Sequence, residues 1–166
     1  AVVILGFSVV RALALGLSVL SNSLEGSCEK FDYPGFWSSS LATALAAQAL
    51  AARGGSFSPS EIFSYVLLGE IGRLALASLH PETYSKIISS AAHEGEEALL
   101  ALEHKHLATD HVELSAMLLG EWGLPEIGVK AVRCHHKLND VELNGNKRLQ
   151  NLVHFLHMAS YRGTMF

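Results

Sequence analysis

Residues 103–136 read EHKHLATDHVELSAMLLGEWGLPEIGVKAVRCHH, and two helices joined by a tight turn can be read from this run. Asp110, followed three residues later by Glu113, is a helix-capping signal. Leu114, Met117 and Leu118 then recur at helical spacing. Gly123 stops that helix, and Leu124-Pro125 starts a second one that runs to His135-His136. His111 lies three and seven positions before Leu114 and Leu118, so it shares their inward face. His135, eight after Ile127 and four after Ala131, points inward from the second helix in the same way.

Upstream, Ser58-Pro59-Ser60-Glu61 combines a cap, a proline suited to the first helical position and a glutamate that closes a capping box. Phe57 and Ile62 stand at the staple positions around it. The helix it opens is predicted to carry Phe63, Leu67 and Leu74 on one face and to end before Pro81. Pro81 to about Ala92 and Glu96 to about Leu107 read as two further helices. Before them, Trp37, Leu41 and Leu45 repeat every four residues along an alanine-rich stretch that ends at Arg53-Gly54-Gly55, where small residues allow close helix approach. Residues 21–35 and 138–146 read as connections, and Leu149, Leu152, Val153 and Leu156 mark a last helix. No segment alternates in the manner of a strand, so the expected class is all-α.

The chain has 166 residues, 49% of them hydrophobic and 17% charged, which suits one domain with a real core and not a disordered chain. Twelve Lys and Arg against sixteen Asp and Glu give −4 with no basic run, which excludes nonspecific nucleic-acid binding as the main job. Cys28 and Cys134 form no CxxC pair, so a zinc site of the usual spacing is excluded and two free thiols in a reducing cytoplasm are expected. Residues 1–20, AVVILGFSVVRALALGLSVL, have the length of a membrane span. Arg11 at its centre would cost about 2.5–3.5 kcal/mol on insertion scales, and neither a basic leader nor a small-residue cleavage site is present. The segment is therefore expected to be a buried helix of a fragment that starts at Ala1, with no membrane anchoring.

Nine histidines are the unusual feature of the composition. His93, His104 and His106 sit in charged stretches and are expected in solvent, whereas His111, His135 and His157 point inward. Glu70 falls seven after Phe63 and four before Leu74, on an apolar stripe. A buried carboxylate costs several kcal/mol unless it is matched. Its expected partner is Arg73, a neutral histidine or a backbone amide, or else a metal shared with His111 and His135 or His136. Successive helical residues diverge by about 100°, so Cys134, His135 and His136 cannot all chelate one ion. HExxH, GxSxG, GxxxxGK[ST] and GxGxxG motifs are all missing.

Taken in order, LGFSVVRALALG (5–16), FWSSSLATALAAQALA (36–51), VLLGEIGRLALASL (66–79) and the 103–136 run resemble the HDOD domain. This is a helical relative of the HD and HD-GYP phosphohydrolases found in bacterial signalling proteins. The most specific elements are Glu103, His111, the Trp122–Pro125 turn and His135-His136. The resemblance implies a single domain over 1–166: an HD-like helical bundle over 36–161 and a core-facing helix at 1–20, with an upstream helical portion missing. The catalytic relatives hold metal with a His, an adjacent His-Asp pair, further His and a final Asp, and that centre activates water. Carried onto this chain, the first His falls near Ser38–Ser40 and the His-Asp pair on Gly69-Glu70. The later His survives as His111 and His135-His136, and the final Asp falls on His157. Glycine cannot ligate a metal.

The resemblance therefore implies a noncatalytic regulatory module in which Glu70, His111, His135 and His136 line a degenerate ligand pocket. No cofactor is expected. The alternative is a divergent phosphohydrolase acting on a nucleotide, with Mn, Fe or Mg on Glu70, His111 and His135. Expected partners are other signalling proteins or domains, with a homodimer through helix 1–20 possible in this reading. Nucleic acid and membrane are not expected, and the location implied is cytoplasmic.

Overall fold

The computed structural model describes residues 26–53, 57–136 and 145–160. The described residues form α1 (Tyr33–Ala51), α2 (Pro59–Leu68), α3 (Ile71–Leu79), α4 (Pro81–Ala91), α5 (Glu96–Leu107), α6 (His111–Glu121), α7 (Glu126–Cys134) and α8 (Lys147–Ser160). No strand occurs among them, so the chain is all-α as expected.

Both capping signals form. The Ser58 hydroxyl accepts from the Glu61 amide at 3.3 Å, and the Glu61 carboxylate accepts from the Ser58 amide at 2.8 Å. Asp110 accepts from the Glu113 amide at 2.8 Å. These caps satisfy donors that a helix start leaves unpaired, and so they fix where α2 and α6 begin. α7 and α8 likewise fall close to where the sequence puts them.

The core has two lobes. One gathers Ala44, Ile62, Leu68, Leu119, Val132, Leu152 and Leu156 from α1, α2, α6, α7 and α8. The other gathers Tyr33, Leu74, Leu76, Tyr84, Ile87 and Leu99 around α3, α4 and α5. Trp122, in the turn after α6, packs against both. Cys134 lies in the first lobe and Cys28 in the second; both are buried, and neither is in a disulfide.

Two expectations change. The helix read from Ser58 to Pro81 is two helices, broken at Gly69-Glu70. In an unbroken helix the Gly72 amide would bond to the carbonyl four residues back; here it donates to Ser115 Oγ of α6 at 2.8 Å. A Cβ on Gly72 would lie 2.1 Å from the His111 carbonyl oxygen, so α3 and α6 approach this closely only because residue 72 is glycine.

The second change concerns α1, which starts at Tyr33, with Asp32 accepting from the Gly35 amide, inside the stretch read as a connection. The face that α1 buries is the one its small residues mark. Leu41 and Leu45 are 48% and 51% exposed, while Ser40, Ala44, Ala47 and Ala51 are buried. Small side chains let α1 and α2 pack at short range, so the alanines and not the leucines make the contact.

The expected helix at 1–20, and with it the dimer contact, lies outside the described residues, as does most of the 138–146 connection. The run Pro59–Leu79 is long and apolar enough to cross a membrane. Two-thirds of its most apolar window is buried within the fold, and it supplies core to both lobes.

Candidate functional site

Where the two lobes meet, helix ends converge. Glu70 comes from the α2–α3 break, Arg73 from the first turn of α3, Glu96 and His111 from the first positions of α5 and α6, and His135 and His136 from just beyond α7. Each is placed by a local device. Gly95, at φ 85° and ψ −179°, adopts a backbone region open essentially to glycine alone, and so turns the chain to deliver Glu96. The Asp110 cap does the same for His111.

The side chains form one continuous network. Arg73 Nε donates to Glu70 Oε2 at 2.7 Å, and its Nη2 donates to Glu96 Oε1 at 2.5 Å. His135 Nε2 lies 2.7 Å from Glu70 Oε1, while its Nδ1 donates to the Val132 carbonyl. Glu103, fully buried, accepts three bonds: from Tyr84 Oη at 2.8 Å, from the His111 amide at 2.9 Å and from His111 Nδ1 at 2.7 Å. His157 Nδ1 donates to the His135 carbonyl at 2.7 Å.

Two nitrogens stand apart. His111 Nε2 lies 3.2 Å from Glu96 Oε1 and 3.5 Å from Glu70 Oε2. His136 Nε2 lies 3.5 Å from Glu70 Oε1 and 3.9 Å from Glu96 Oε1. Both are buried without an aligned hydrogen bond.

Burial and charge pull against each other here. Burial pushes the Glu70 carboxyl up, but the Arg73 guanidinium and the contacts with His135 and His136 outweigh it and hold the group well below its ordinary value. Burial likewise raises Glu96, yet His111 and Arg73 bring it down to about 2. Burial and Arg73 both lower His111; its contacts with Glu103, Glu96 and Glu70 prevail and push it up to about 9. His136 moves the other way, lowered chiefly by burial. Opposite charges favour the charged form and desolvation disfavours it, and for Glu70, Glu96 and His111 the charges win.

Two donor sets have the residue types of a metal site: Glu70 with His135 and His136, and Glu96 with His111 and His136, each with ligand atoms within 4.8 Å of one another. Outer bonds from His111 to Glu103 and from His135 to Val132 orient the rings as second-shell partners do in metal proteins. Arg73 decides against the fit. Its guanidinium is a permanent cation bonded to both carboxylates. With Arg73 in place, the residues present do not fit the divalent ion of catalytic HD proteins.

Space is also limited. Among the described residues, the cavity beside the cluster has a volume of about 50 Å³ and is lined by Leu100, Asp110, Val112, Glu113, Arg133 and His136, room for a few waters. A larger cleft of about 460 Å³ between α7 and α8 touches Glu126, Lys130 and Leu149 and none of the cluster.

All four residues singled out from the sequence, Glu70, His111, His135 and His136, come together here. His157 sits one layer out, and His93, His104 and His106 are exposed. Glu96 was not expected. It looks like an ordinary acid at a helix start, and only the Gly95 turn and the packing of α3 against α6 bring it to Arg73.

A family model for the HDOD domain matches residues 1–138. No curated protein sequence matches the chain. Among crystal structures, the MmoQ response regulator from Methylococcus capsulatus str. Bath is 38% identical, with a TM-score of 0.76 over 98% of this chain and 62% of its own. A provisionally named phosphohydrolase from Shewanella amazonensis SB2B is 26% identical, with a TM-score of 0.72 over 98% of this chain and 57% of its own. An HDOD domain protein from Geobacter sulfurreducens, at 22% identity and a TM-score of 0.69 over 95% of this chain and 51% of its own, is similar in fold. The chain thus spans between about half and six-tenths of the length of these structures.

Proposed function

This chain belongs to the HDOD domain family, and from that premise we propose that it is a noncatalytic regulatory module of a signalling protein. The observation that carries the proposal is the guanidinium of Arg73, bonded to Glu70 and Glu96. In a hydrolytic relative such carboxylates would hold the ion that activates water. Here an arginine neutralises them, and arginine can neither activate water nor accept the attacking proton. The cluster then acts as a polar keystone, tying the α2–α3 break to the ends of α5, α6 and α7.

A keystone of this kind suits signal transmission by change of shape. The partner we propose is protein, other signalling domains; the cavity of about 50 Å³ beside the cluster is below the size of a nucleotide site. The 38% identical structure is a response regulator, of which this chain matches 62%. A neighbouring domain in the same polypeptide therefore fits the reading. Two buried thiols outside any disulfide suit a reducing cytoplasm.

The second reading, a divergent metal phosphohydrolase, draws on the unbonded Nε2 atoms of His111 and His136. A direct assay separates the two. Hydrolysis of bis(p-nitrophenyl) phosphate and of nucleoside phosphates is measured with added Mn, Fe or Mg, beside His111→Ala. The regulatory reading expects no turnover above buffer in either protein. Turnover that vanishes in His111→Ala overturns it in favour of the phosphohydrolase.

A further inference from the structure

We infer that Arg73 determines the ion specificity of this cluster: its guanidinium takes the place of a divalent cation among Glu70, Glu96, His111 and His136, and removing it creates a metal site. The inference rests on the noncatalytic reading and assigns its cause to one side chain.

Three observations lead there. Arg73 bonds both acids of the cluster, Glu70 through Oε2 and Glu96 through Oε1, while the Glu70 oxygen facing His135 and His136 is Oε1. The same Glu96 oxygen lies 3.2 Å from the unbonded His111 Nε2 and 3.9 Å from the unbonded His136 Nε2. The guanidinium and the two imidazoles thus crowd one carboxylate oxygen, and a divalent cation in place of the guanidinium could bind that oxygen together with both Nε2 lone pairs, any Nε2 proton being released to solvent. His111 is already held from behind by Glu103, so little reorganisation is needed to present its Nε2 atom.

The location of Arg73 points the same way. It stands in the first turn of α3, where the helix dipole disfavours a positive charge. Nothing about the helix asks for a cation there; the two carboxylates do. A lysine would supply the charge from a single point, without the fork that reaches both acids.

The test is zinc content, with zinc alone as the probe. Wild type, Arg73→Met and Arg73→Ala are dialysed against zinc and then metal-free buffer, and metal is measured by mass spectrometry. Wild type is expected to keep well under a tenth of an equivalent, and both variants roughly one per chain. Their melting temperatures should rise with zinc while that of wild type does not. Adding Glu96→Gln or His136→Gln to Arg73→Met should lower its zinc affinity at least tenfold.

Folded variants without zinc, or variants whose zinc is indifferent to Glu96 and His136, overturn the inference and leave the noncatalytic reading standing. Variants that fold only with zinc support it. Variants that fail to fold even with zinc count against it, since the ion should restore the lost charge. Stoichiometric metal in wild type overturns both this inference and the noncatalytic reading.

Discussion

Glu103→Ala is expected to lose about 3–5 kcal/mol of folding stability. Glu103 has no exposed surface, and its two oxygens accept from Tyr84 Oη, the His111 amide and His111 Nδ1. Truncation strands all three donors inside the protein, and each unsatisfied buried donor costs about 1–3 kcal/mol. It also leaves a cavity at the junction of α4, α5 and α6 that the packed surroundings fill only in part.

A domain of ordinary stability has only about 5–15 kcal/mol in hand, so the variant should sit near the edge of folding. Glu103→Gln keeps the volume and one acceptor, and should lose about half as much or less. Urea denaturation with an unchanged slope reads both values. A loss below about 1 kcal/mol for the alanine variant would show that the Tyr84–Glu103–His111 chain of bonds does not hold the fold.

The second large effect is on pH dependence. His111 is pushed up from 6.5 to about 9 in the folded protein. A group whose folded value is raised contributes stability that is complete below its unfolded value and disappears as pH climbs through the folded one. His111 should therefore contribute about 3 kcal/mol at pH 6, lost progressively between about 6.5 and 9.

The acids behave in the opposite sense. Glu96, lowered to about 2, and Glu70, held well below its ordinary value, contribute above about 4.5, and the contribution drains away as pH falls toward 2. His136 is lowered by burial, so it favours the folded state above 6.5 and trims stability as pH drops below. The maximum thus lies on the mildly acidic to neutral side, between the acids and His111. Urea melts from pH 5 to 9.5 should show wild-type stability falling above 6.5, and His111→Gln should flatten that fall. A wild-type profile level or rising from 6.5 to 9 would contradict the charged His111–Glu103–Glu96 arrangement.

How far the sequence could be read follows from how local each signal is. Ser58 and Asp110 act within three residues, so their helix starts are legible from a short window. Glu70, His111 and His135 are legible because their spacing from Phe63, Leu74, Leu114 and Ala131 fixes a helix face. That reading survives the break at Gly69-Glu70. At the break the Gly72 amide is taken by Ser115 across 43 positions, and no local pattern encodes that contact. The outward face of α1 is of the same kind: its apolar residues run round the helix, and only the partner's shape selects alanine over leucine. Arg73 was legible as a partner of Glu70, but its second bond depends on Glu96, which arrives by a glycine turn 23 residues later. The site was therefore half visible: the histidines and one acid by periodicity, the cation's bridging role only by fold.

In the proposed function, the fixed charge of Arg73 stands where hydrolytic relatives would hold an ion. That claim is tested most directly by the metal content of the wild-type protein, purified without chelators or a histidine tag beside His111→Ala. The account predicts manganese, iron and zinc well below one equivalent in both proteins. Near-stoichiometric metal in wild type that disappears in His111→Ala would contradict it and return the cluster to the phosphohydrolases.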